Sequence, residues 1–329
     1  MKWQVWPVPN LSILSESLNI RFSQFMPYLK YVTPVFLIGC LTVAAITGFQ
    51  LRDELAQIRS LDVSFLSSAV IAQGLVSLII VVAWRKNLTF HGVGKVSWFE
   101  SACHVGISGL GKYLPGKIAG SIVRGAAIYQ KTGNAQSIVL ASLIEQVALL
   151  HSGAIIVLVL ATYKFAGVGC ALGVSAILLS TLFLVRYLKG VVNWITTSII
   201  KLKGQRWKEE PVNSVRQYAV LFIFFSATWC FTALAFYYCI AAFGLASAIQ
   251  YLDVLLITAL AFISGFLAVF APGGIGVREG VMVSMLAPLV GITAAISVSI
   301  LHRVISMLFD LGLGAFSLIL QGTKYPDRG

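Results

Sequence analysis

Residues 64–84 read SFLSSAVIAQGLVSLIIVVAW, an unbroken run without a formally charged side chain. About 20 such residues are what an α-helix needs to cross a hydrocarbon core roughly 30 Å thick, at about 1.5 Å per residue. The apolar positions are continuous rather than alternating with polar ones, so the run reads as a transmembrane helix and not as a barrel strand. Working outward, 31–51, 136–162, 165–185, 217–243, 254–277 and 286–301 are similar mostly apolar stretches, with Glu145 inside one and Lys164 at a boundary. The chain as a whole agrees: of 329 residues, 58% are hydrophobic and 11% charged, with a mean hydropathy of +0.89. Such a composition expects lipid as its solvent. The expected fold is all-α, a polytopic transmembrane helical bundle of about seven to eight spans.

A formal net charge of +12 and a pI near 9.6 would suggest nucleic acid as the partner of a soluble protein. Here the positive-inside rule and anionic headgroups account for it, and no nucleic-acid partner is expected. Basic residues gather at Lys2, Arg21 and Lys30, at Arg85, Lys86 and Lys95, and between Arg186 and Arg216. All three groups are assigned to the cytoplasmic side. Arg52, Asp53, Glu54, Arg59 and Asp62 form a mixed loop, and the turn at 161–167 carries only Lys164. Residues 1–30 show no compact apolar core ending in a cleavage site, so the first span is expected to stay as an anchor. The stretch 191–203, with Trp194 and Ile199 between basic residues, fits an interfacial helix or a solvated loop equally. The five cysteines, at 40, 103, 170, 230 and 239, lack ligand spacing and read as packing residues. His104 and His302 read likewise, and neither a metal nor another cofactor is expected.

Two regions break the helical pattern and resemble each other. The first runs from Gly109 through Lys112, Pro115, Gly116, Lys117, Ile118, Gly120 and Val123 to Arg124; the second is Pro272-Gly273-Gly274-Ile275-Gly276-Val277-Arg278-Glu279. Each has Pro-Gly, then Ile, Gly, Val and Arg in that order. Proline removes a backbone donor and glycine relaxes the helix, which leaves carbonyls and amides free for a ligand or cavity. Paired interruptions at corresponding places in two halves point to a binding site near the bilayer midplane. The expected division is therefore an N-terminal segment 1–30 and one transmembrane domain, 31–320, followed by a tail, 321–329. Within the domain, half-repeats at 31–162 and 217–320 flank an additional span at 165–188 and a basic loop at 189–216. Both Pro-Gly pairs also fit ordinary surface turns. Re-entrant segments near 97–110 and 277–289 give about seven spans, and a full crossing by one of them moves the C-terminus to the other side.

Charges at membrane depth cost about 2.5–3.5 kcal/mol each, so those that persist usually face the bundle interior and pair. Arg124, Arg278 and Arg303 stand at such positions, as do Glu145, Glu279 and Asp310. Glu145 is expected to pair with Arg303 or Arg278, and Glu279 with an arginine of the other half. Glu145 with Arg303 also fits a bridge that merely fixes the bundle, and Arg278 a side chain that snorkels to the interface. A guanidinium donates two parallel hydrogen bonds and suits phosphate. The candidate headgroup ligands are therefore Lys112, Lys117, Arg124, Arg278 and Arg303. Glu145, Glu279 and Asp310 are candidate pairing or coupling groups, and Pro115, Gly116, Gly120, Pro272, Gly273, Gly274 and Gly276 form the open backbone. Lys112 and Lys117 fit interfacial anchors equally well. No Walker loop, Gly-x-Ser-x-Gly elbow or paired-carboxylate constellation is present, so an autonomous enzyme is not expected.

At Lys112-Tyr113-Leu114-Pro115-Gly116-Lys117, Gly120, Arg124, Glu145, the Pro272 to Glu279 string and Arg303, the chain resembles the lysylphosphatidylglycerol synthase transmembrane-region family. That family includes the flippase half of the bacterial multiple peptide resistance factor. The likeness runs from about residue 31 to 320. It implies binding or translocation of an anionic, phosphate-containing lipid in a bacterial or archaeal cytoplasmic (inner) membrane. The substrate classes it leaves open are phospholipids, aminoacylated phosphatidylglycerol and polyprenyl-phosphate-linked sugars. The family often has an arginine after the glutamate; here Gln146 stands there, which removes any local Glu-Arg pairing. Only Tyr325 to Gly329 follow the last expected span, so the synthase activity is not carried over. Two rivals stay open. One is a membrane enzyme or subunit handling a lipid-linked donor in glycosyl or aminoacyl transfer beside a separate transferase, and the other is a structural scaffold.

Overall fold

The computed structural model describes residues 61–94, 96–112, 124–125, 128, 135–184, 215–268 and 271–322. Among the described residues there are seven α-helices, three short 3-10 turns and no strand. The helices are α1 (Val63–Phe90), α2 (Trp98–Gly111), α3 (Ala135–Ser180), α4 (Val215–Ala242), α5 (Tyr251–Leu267), α6 (Val277–Val290) and α7 (Ile292–Gly322). The segment 1–30, the span expected at 31–51, most of the basic loop at 189–216 and the tail beyond Gly322 lie outside the described residues. Four helices are long and apolar enough to cross a membrane: α1, α3, α4 and α7. The protein is a multi-pass helical membrane bundle.

Local signals explain the boundaries. The Asp62 carboxylate accepts from the Ser64 N–H at 2.8 Å and starts α1. Ser97 and Glu100 cap the start of α2 reciprocally, with bonds of 3.1 and 2.9 Å. The turn expected at 161–167 is reduced to one residue: α3 is helical on both sides of Gly167, whose φ of +81° and ψ of 178° reverse the chain. Glycine tolerates that φ because it has no Cβ. The apolar run at 254–277 ends early, because Pro272 and its glycines stop α5 at Leu267. With 14 residues each, α2 and α6 are too short to cross the hydrocarbon core, and α5 has only 17.

The long helices pack as antiparallel pairs. The Asp62 N–H donates to the Ala242 carbonyl at 3.0 Å and Phe65 stacks on Tyr238, so the start of α1 lies against the end of α4. At the opposite end, Lys86 and Phe90 share a cavity wall with Arg216 and Gln217. Helix α2 runs antiparallel to α7: Phe99 meets Phe316 edge-on, the Ser317 hydroxyl donates to the Cys103 carbonyl at 3.2 Å, and Lys112 reaches Asp310. A Cβ on Gly106 would collide with the Leu313 carbonyl, so glycine permits this close approach. Helix α3 packs on α4 and α5, and α6 lies between α5 and α7. Trp229 of α4 fits against Gly153 of α3 and donates to the Ser152 hydroxyl at 3.0 Å. Ile71, Leu78, Leu172, Ile177 and Leu308 point outward, as lipid-facing side chains do. Cys103, Cys170, Cys230 and Cys239 are free thiols.

Candidate functional site

The end of α2, where the first interruption begins, touches the second interruption. Lys112 caps the C-terminus of α2, and its carbonyl accepts a 2.8 Å hydrogen bond from the backbone N–H of Gly273. Gly273, Gly274 and Gly276 have φ of +58°, +72° and +83°, a run of left-handed positions that only glycine adopts cheaply. Close packing adds a second demand, since a Cβ on Gly274 would lie 3.1 Å from the Cα of Gly265 in α5. The result is a tight turn at the tip of the α5–α6 hairpin, and its backbone is not open as expected: the N–H groups of Gly273, Gly274 and Gly276 donate to the Lys112 carbonyl, the Ala271 carbonyl and the Glu279 carboxylate.

Helix α7 brings the side chains that fasten this turn. Arg303 donates through Nη2 to the Gly273 carbonyl at 2.7 Å, and its Nε lies 3.3 Å from Glu279 Oε1. The other Glu279 oxygen accepts from the Gly276 N–H at 2.7 Å, closing the first turn of α6. Two turns further along α7, Asp310 pairs with Lys112 Nζ at 2.5 Å. Arg278 is buried, with its guanidinium 5.5 Å from the ring centre of Phe262 on α5. Arg278 and Arg303 both act electrostatically on Lys112. Lys112, Arg278 and Arg303 thus gather with Glu279 and Asp310 around the contact between Lys112 and Gly273. His302 packs on Phe236 beside this cluster, with ring centres 5.0 Å apart.

Arg124 stands elsewhere. It is 2% exposed, pairs with Glu145 of α3 at 2.5 Å, and lies with its guanidinium 3.7 Å from the ring centre of Trp84. The Trp84 indole lies 3.4 Å from His104 Nδ1 on α2, two helical turns before Lys112. Two expectations are corrected here. Glu145 pairs with neither Arg303 nor Arg278, because α7 directs Arg303 to the Gly273 turn while Arg124 lies within reach of α3. Glu279 finds its arginine, Arg303, within its own half rather than across the molecule.

Lys112, Arg278, Glu279, Arg303, Asp310 and the glycine turn therefore come together, and Arg124 with Glu145 forms a separate buried pair. Pro115, Gly116, Lys117 and Gly120 lie outside the described residues. Trp84, Phe262 and Gly265 complete these environments and escape sequence reasoning. Trp84 closes an apolar run and is distant in sequence from Arg124, so the only available signal was an indole, a good cation partner, at membrane depth. Among the described residues no cluster of His, Cys, Asp and Glu could hold a metal ion.

The family model of the lysylphosphatidylglycerol synthase TM region matches residues 31–314, and the chain belongs to that family. No curated protein matches it.

Proposed function

We propose that this family member binds the phosphate of an anionic membrane lipid where the end of α2 meets the α5–α6 hairpin tip and carries the headgroup across the bilayer while the acyl or prenyl tails stay in lipid. The observation that carries the reading is the contact of Lys112 with Gly273, with Arg303 bonded to the same turn and Arg278 close by. Guanidinium and ammonium groups replace the hydration that a phosphate must shed.

The packing supports an inverted repeat. Helix α1 pairs antiparallel with α4, and α2 on α7 has its counterpart in α5 on α3. Placing the boundary at Gly167 makes the apolar run 31–51 the counterpart of 168–184, so no span is left over. On this reading α2 enters from the basic end and the α5–α6 hairpin from the opposite end, and the end of α2 meets the hairpin tip between them.

The test reconstitutes the purified chain in vesicles with a headgroup-labelled anionic lipid and measures access to an external quencher. Arg278→Ala should slow translocation about ten- to a hundredfold while the protein stays folded, since a hydrogen bond to a charged group is worth about 1.5–3 kcal/mol. Arg278→Lys should rescue in part, keeping the charge and losing the fork. A folded Arg278→Ala protein that translocates as fast as the wild type sinks the assignment.

A further inference from the structure

At the end of the bundle opposite Lys86 and Arg216, a cavity of about 440 Å³ opens between the end of the first leg of α3, the turn Ala246–Ala248, the start of α5 and the end of α6. Its volume lies in the range of about 300–1,000 Å³ typical of small-ligand sites. Leu160, Leu256 and Leu289 make part of its wall apolar. Lys164 Nζ lies 2.7 Å from Asp253 Oδ1 on the same wall, with side-chain exposures of 53% and 27%, and Gln250 stands beside them. So exposed a pair adds little to stability.

That pair has capacity to spare. An ammonium has three donors and a carboxylate about four acceptor positions, and the mutual contact uses one of each. A ligand matching the remainder carries a phosphate for Lys164 and, a few ångströms away, a hydrogen-bonding cation for Asp253. A purely anionic headgroup would face the Asp253 carboxylate, and a trimethylammonium could not donate to it. The leucines suit a glycerol backbone and the first methylenes of acyl chains. We propose that this cavity is a second headgroup site, taking zwitterionic phospholipids in which a phosphate is joined to a primary amine. The proposal rests on the lipid-handling reading above, but the cavity shares no residue with the hairpin tips.

The test titrates the purified full chain, by native mass spectrometry, with dihexanoyl phosphatidylethanolamine, its choline and glycerol analogues, and free phosphoethanolamine. Saturable retention of the ethanolamine lipid is expected, with the choline lipid and free phosphoethanolamine each held at least about tenfold more weakly. Asp253→Asn should weaken the ethanolamine lipid about tenfold and leave the glycerol lipid unchanged or improved, whereas Lys164→Gln should weaken both. Leu289→Trp, which fills the cavity without touching the pair, should also remove binding. Equal retention of all three lipids, or retention unchanged by both Asp253→Asn and Leu289→Trp, would overturn the proposal. Arg278→Ala separates the two readings. If the tip site is wrong, that variant translocates normally while ethanolamine-lipid binding still responds to Asp253→Asn. If the cavity is wrong, the reverse holds.

Discussion

Arg124 and Glu145 form an ion pair closed off from solvent, with the guanidinium also lying over the Trp84 ring. The pair joins the segment after the first Pro-Gly interruption to α3, much as Arg303 and Glu279 join α6 to α7 with the charges exchanged. A buried pair gains little over a well-packed apolar one, yet removing a single partner strands the other charge.

Glu145→Gln should therefore destabilise the protein by about 3–5 kcal/mol, and the double change Glu145→Leu with Arg124→Met should recover most of that loss. Thermal unfolding in detergent measures both. On the same grounds Arg124→Ala should harm folding more than translocation, unlike Arg278→Ala. A fully stable Glu145→Gln protein would show that water reaches the pair.

Lys112 and Asp310 offer a contrast, because their side chains are 45% and 21% exposed. Lys112→Met should cost no more than about 1 kcal/mol in stability. If Lys112 serves the phosphate, headgroup translocation should nevertheless fall clearly. An unchanged rate in the vesicle assay would reduce this lysine to an anchor.

The Gly274 turn should tolerate no side chain. Gly274→Ala combines a φ of +72° with a contact of 3.1 Å against the Gly265 backbone, and a cost of about 1–3 kcal/mol is expected. The observable is a lowered melting temperature in detergent, and a stability equal to the wild type would mean that the hairpin tip is looser than the packing indicates.

Two glycines between α2 and α7 should behave differently. A Cβ on Gly106 meets the Leu313 carbonyl, which is fixed in a helix, whereas one on Gly314 meets the side chain of Leu110, which can change rotamer. Gly106→Ala should thus be the more destabilising by at least about 1 kcal/mol. Paired melting curves of the two variants decide it, and equal losses would show that the helices can separate.

Much of the architecture was legible without coordinates, because lipid imposes a simple rule on composition. Runs such as 64–84 must be helices, since no other isolated segment satisfies its own backbone there. The Pro272-Gly273-Gly274 string likewise announced a break, as those residues dictate backbone geometry locally. The same local rules marked Arg124, Glu145, Arg278, Glu279, Arg303 and Asp310 as charges in need of partners.

Which charge meets which was decided only in three dimensions. Pairing depends on the rotation and depth of each helix, and these are set by contacts between residues far apart in sequence. Gly106 against Leu313 and Gly265 against Gly274 fix where α2, α7 and the glycine turn lie. They thereby bring Arg303 to the Gly273 carbonyl rather than to Glu145. Hydropathy places each residue at a depth in the membrane. Only the packed backbone sets its direction around the helix axis, and that direction divided one expected cluster of cations into a group around the glycine turn and a separate buried pair.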